Sequence, residues 1–100
     1  MPYILKHQRE KFQSAIKELA KLINDDTNGV PYKSRAGNLN YIITKLLLEV
    51  YKKDECYLTH NEIIGMLHCC AEEWYRRRVA PYEDTKINNE LNGDVFPDED

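Results

Sequence analysis

Between Gln8 and Asn24 the apolar residues Phe12, Ala15, Ile16, Leu19, Ala20, Leu22 and Ile23 recur three and four positions apart, while Lys17, Glu18 and Lys21 take the remaining arc. That period gathers the apolar set on one side of a helical wheel and predicts a one-sided surface helix. Asp25-Asp26-Thr27-Asn28-Gly29 ends it, since Gly accepts the positive φ that other residues avoid. The connection runs on to Arg35, long for a helix-to-helix loop, and is either a functional loop or a tolerated insertion.

A second helix is expected from an Asn38 cap to about Lys53. Its main face is Leu39, Ile42, Ile43, Leu46, Leu47 and Val50, yet Tyr41, Leu48 and Tyr51 fall outside that face. A helix apolar over more than half its circumference needs cover on several sides. It is therefore the centre of a bundle or part of a subunit interface, and a homo-oligomer is expected.

The third helix is read from Thr59, where Thr59 and Glu62 have capping-box spacing and Leu58 and Ile63 have that of a hydrophobic staple. Its buried stripe is Ile63, Leu67, Cys70, Ala71 and Trp74, and Arg76, Arg77 and Arg78 complement the dipole of its last turns. Pro81 disfavours helical geometry at Ala80 and should close it. A short fourth helix, Tyr82 to about Leu91, then stops at Asn92-Gly93. The expected fold is all-α: a bundle of three main helices plus a short C-terminal helix, one domain over residues 1–93, with a mobile acidic tail at 94–100.

Composition adds three points. The 42% hydrophobic and 31% charged residues are those of a globular domain, not a disordered chain. The net charge of −3 is uneven, because Glu90, Asp94, Asp98, Glu99 and Asp100 leave residues 1–89 with 14 bases against 12 acids. A body at +2 is a weak footprint for double-stranded DNA. Three cysteines, with Cys69 and Cys70 adjacent and about 100° apart on a helix, read as reduced thiols in the cytoplasm. The charged N-terminal decapeptide has no signal-peptide run, and Lys45 and Glu49 interrupt the longest apolar stretch, so no membrane span is expected.

Catalytic and metal sites find little support. Helical metal sites pair carboxylates three or four residues apart so that both grip one ion. No such pair lies in a helical stretch, and Glu62 and Glu73 share a face about 16 Å apart. His68 and Glu72 would need ligands from another helix, and there is no C-x-x-C or H-x₃-H unit. No metal and no cofactor are expected.

The better signal is Trp74-Tyr75-Arg76-Arg77-Arg78 with Tyr82, which interleaves rings that stack on bases with forks that engage phosphates. The same arginines also suit intrahelical pairs, Glu72 with Arg76 and Glu73 with Arg77. Asn40, Tyr41 and Thr44 form a second polar group. Antiparallel packing of helices two and three would bring it beside Arg76, Arg77 and Tyr82; the alternative is a buried network that fixes register.

Leu39-Asn40-Tyr41 with Thr44, Asn61-Glu62 with Gly65 and Cys69, Tyr75-Arg76-Arg77, Ala80-Pro81-Tyr82-Glu83-Asp84, Lys86-Ile87 and Asn92-Gly93-Asp94-Val95 make the chain similar to a family of small uncharacterised proteins of tailed bacteriophages and some prokaryotes. The resemblance covers most of residues 38–95 and implies a helical fold and a phage-type origin, without chemistry. The chain departs from the pattern in its Asp25–Arg35 loop, His68 and Arg78.

The expected function is non-catalytic binding of an anionic partner, a nucleotide or phosphorylated signal, with Asn40, Tyr41, Thr44, Arg76, Arg77, Tyr82, Glu83 and Asp84 as binding residues. Sequestration of a host signal would fit a phage protein. One alternative is a protein inhibitor or adaptor acting on a host enzyme. The other is a nucleotide-acting enzyme using Glu73, Glu83 or Asp84.

Overall fold

The computed structural model describes residues 3–25 and 35–87. The expected loop body before Arg35, the end of the last helix near Leu91, its Asn92-Gly93 stop and the acidic tail lie outside the described residues. The described chain is all-helical, with three main helices. Two units, Met1–Thr59 and His60–Asp100, are taken separately below.

In the first unit Lys6–Gln8 form a 3₁₀ turn, with the Gln8 side-chain oxygen accepting from the Leu5 N–H at 2.9 Å. Helix α1 follows, Glu10–Asp25. Helix α2 runs Arg35–Val50, so Asn38 lies inside it and does not cap it. Arg35 and Ala36 are strong helix formers, and the helix carries Gly37 at a cost of roughly 1 kcal/mol. The two helices meet where Leu19, Leu22 and Ile23 of α1 face Asn38, Tyr41 and Ile42 of α2 around an apolar cleft of about 390 Å³. The turn Tyr51–Lys53 ends α2, closed by the Asp54 N–H on the Tyr51 carbonyl at 2.9 Å.

Helix α3 is Tyr57–Trp74, starting two residues before the expected cap. Thr59 is thus its third residue. The Thr59 hydroxyl accepts from the Cys56 N–H at 3.0 Å and donates to the Asp54 carbonyl at 2.6 Å, tying the incoming chain to the first turn. Cys56 takes the position given to Thr59 in the sequence reading, and Leu58, inside the helix, is exposed. The backbone N–H of Thr59, and then its hydroxyl, stabilise the Cys56 thiolate and hold this thiol below its ordinary value.

Pro81 does not end the helix. The π-helical turn Tyr75–Val79 follows α3 directly, and α4, Ala80–Ile87, follows that without a gap. The Ala80 N–H reaches five residues back to the Tyr75 carbonyl. Pro81 has no N–H to donate and its ring would strike the carbonyl four residues earlier in an α-helix. A widened turn just before it moves that carbonyl aside, and the helix passes through.

No described residue is fully buried. In the second unit the half-covered stripe is Ile63, Met66, Leu67, Cys69 and Glu73. Cys70 and Ala71 are exposed, and Trp74, expected in the core, is 64% exposed.

Thr59→Ala should cost about 1 kcal/mol in denaturant unfolding, the usual worth of a helix-start hydrogen bond. Because the thiolate of Cys56 is favoured, its alkylation should rise at lower pH than that of an unstructured thiol. Mass spectrometry of timed iodoacetamide labelling checks this, and Thr59→Ala, which removes the hydroxyl but keeps the backbone N–H, should move the profile part of the way back up.

Candidate anion-binding site

The widened turn presents its three arginines in different settings. The Arg76 Nη2 and the Arg77 Nε each donate to the same Glu73 Oε2, both at 3.1 Å. Glu73 lies three residues from one and four from the other, the two spacings that share a helix face. Its side chain is only 23% exposed, whereas those of Arg76 and Arg77 are 71% and 69% exposed. One half-covered carboxylate therefore anchors two forks whose other nitrogens face water. Of the pairs expected from the sequence, Glu73 with Arg77 is present. Arg76 also takes Glu73, and Glu72 instead meets the His68 Nε2 at 2.9 Å. Arg78 lies over the Trp74 ring, 5.8 Å from its centroid, within cation–π range.

The rings come next. The Tyr75 hydroxyl donates to Glu83 Oε1 at 2.8 Å, spanning the widened turn. In an unbroken α-helix, residues eight apart are offset by about 80°. The π turn takes up one extra residue, so Tyr75 and Glu83 gain the register of residues seven apart and share a face. The Glu83 carboxylate, first as hydrogen-bond acceptor and then as a charge, disfavours the phenolate and raises the Tyr75 ionisation above its ordinary value. Lys86 stands over the Tyr82 ring at 5.3 Å, and the Thr85 hydroxyl donates to the Tyr82 carbonyl. Asp84 lies on α4 beside Glu83.

The second group of expected residues forms a cluster of its own in the first unit. Asn40, Tyr41 and Thr44 line an open depression of about 540 Å³ on α2, floored by Ala36 and Gly37. Among the described residues no group of three or more His, Cys, Asp or Glu could hold a metal ion, and no helix is long and apolar enough to cross a membrane.

The chain matches the model of a domain of unknown function, DUF6899, over residues 1–95. It belongs to the DUF6899 family. No curated protein and no solved structure matches it. The site of this DUF6899 chain is therefore read from its own geometry. The sequence reading did not single out Glu73 as a common anchor, the Tyr75–Glu83 bond or Lys86 over Tyr82. Pro81 seven residues after Trp74, inside an otherwise helical pattern, was the available signal, because a proline carried within a helix demands a local change of pitch.

Difference titration of the wild type against Tyr75→Phe should isolate one phenol that ionises above the ordinary tyrosine range near pH 10. In Glu83→Gln that ionisation should return toward the ordinary value, read by ultraviolet absorbance.

Proposed function

We propose that the chain binds a small phosphorylated ligand, a nucleotide or a nucleotide-like signal, at the widened turn, and holds it without turnover. The observation that carries this reading is the pair of guanidinium groups, Arg76 and Arg77, fixed side by side on Glu73 while both remain open to water. Anchoring by a neighbouring carboxylate lowers the entropy lost when the forks engage an anion, and each fork retains donors for phosphate oxygens. Trp74, Tyr75 and Tyr82, all more than half exposed, offer rings for a base. Glu83 acts here by orienting Tyr75. Binding without chemistry would make the chain a sequestering protein, and its three free thiols suit a reducing cytoplasm, as would a phage-type origin.

A second reading rests on the same exposed rings. Trp, Tyr and Arg are the residues that dominate protein-protein hot spots, so this surface also suits an inhibitor or adaptor docking on an acidic patch of a host enzyme.

Thermal-shift screening of mono-, di- and cyclic nucleotides tests the first reading. A ligand at one hundred times its dissociation constant stabilises by about 2.7 kcal/mol. Arg76→Ala and Arg77→Ala should each weaken binding roughly tenfold or more, the worth of a charge-assisted hydrogen bond, while Lys17→Ala on α1 should leave it unchanged. No shift with any nucleotide at millimolar concentration removes the ligand reading. Capture of an acidic host protein that Arg76→Ala abolishes would then favour the second.

A further inference from the structure

Helix α2 carries a seam that its own unit does not cover. Leu39, Ile43, Leu46 and Val50 are spaced four, three and four residues apart, with Leu alternating against a β-branched residue. This is the a/d pattern of helices that pack knobs into holes. The edge of α2 that meets α1 is Asn38, Tyr41 and Ile42. At 100° per residue that edge and the seam are separated by roughly a third of a turn. The seam is accordingly left open, its four side chains 42% to 63% exposed. A stripe of this kind does not stay in water without cost.

We propose that the seam is covered by α2 of a second copy, antiparallel and related by a two-fold axis. Self-complementarity is one argument: with Leu39 at d and Ile43 at a, an antiparallel pair layers Leu39 on Ile43 of the second copy and Ala36 on Leu46 of the second copy. Charge is the other. The same alignment places the g-position residue Arg35, at the start of α2, beside the g-position residue Glu49 near the end of the other α2, and the two-fold repeats the match. Flanking charges of opposite sign set partner and orientation in such pairs, and a parallel alignment, which faces g positions with e positions, would set Arg35 opposite Asn40 and lose the match. An isologous contact of this type closes on itself. Leu39, Ile43 and Leu46 are thereby given a specific occupant, independent of any ligand at the arginine turn.

Sedimentation equilibrium of the full chain should give an even multiple of the 11.8 kDa chain mass. Ile43→Asp should reduce that mass by half or more. Arg35→Glu, which sets like charges together twice per pair, should weaken association roughly tenfold at low salt, and Arg35→Glu combined with Glu49→Arg should restore it. The charge variants keep the test decisive where Ile43→Asp fails to fold. A monomer at sub-millimolar concentration, an odd multiple, or an even multiple that neither Arg35→Glu nor the double exchange alters would each overturn the proposal.

Discussion

The second unit is built around a proline that a helix must carry. Pro81 offers no N–H, and its ring excludes the carbonyl four residues back. The chain meets both demands with the widened turn Tyr75–Val79 and continues to Ile87. Every candidate binding residue in that unit is positioned by this solution. Arg76 and Arg77 lie in the turn and share Glu73, and Tyr75 reaches across it to Glu83. The turn changes the azimuth of α4 relative to α3 and so selects which side chains can meet. π turns are uncommon and recur at functional sites, which agrees with the concentration of charge and exposed rings there.

Much of the helical framework could be read from periodicity, because a sixteen-residue amphipathic segment such as α1 leaves little choice of alternative. Helix starts were less legible. Cys56 with Thr59 and Thr59 with Glu62 have the same three-residue spacing, and Thr59 belongs to the earlier pair because its hydroxyl secures both the Cys56 N–H and the Asp54 carbonyl. The expected stripe ending in Trp74 followed a straight α-helical count from Ile63. The covered positions instead step through Met66, Cys69 and Glu73, and Trp74 faces out beneath Arg78. Pro81 was read with a rule that disfavours helical geometry at the residue before a proline, yet Ala80 keeps that geometry, at φ −58° and ψ −46°. The arginine cluster itself was plain in the sequence. Its organisation was not, since a bond between residues eight apart has no place in a scheme of three- and four-residue neighbours.

The scarcity of covered side chains among the described residues has an energetic meaning for both units. Folding a short chain leaves only a few kcal/mol after conformational entropy is met, and apolar burial supplies most of what offsets it. Helices with exposed Leu, Ile and aromatic residues at regular spacing gain most of their stability from packing against something else. Among the described residues of the first unit, α1 and α2 share the cleft around Leu19, Ile23, Tyr41 and Ile42. In the second, the half-covered stripe is thin, and Tyr75 with Glu83 adds a polar brace where apolar contact is sparse.

The widened turn also makes residue count between Trp74 and Pro81 a coded quantity. Shortening the run of three arginines by one would leave a plain α spacing with Tyr75 and Glu83 seven residues apart and still on one face. It would also remove the widened turn and set the proline ring against the carbonyl four residues back. Swapping one arginine for another residue alters a single contact, but a gap in that run takes away the room the proline needs.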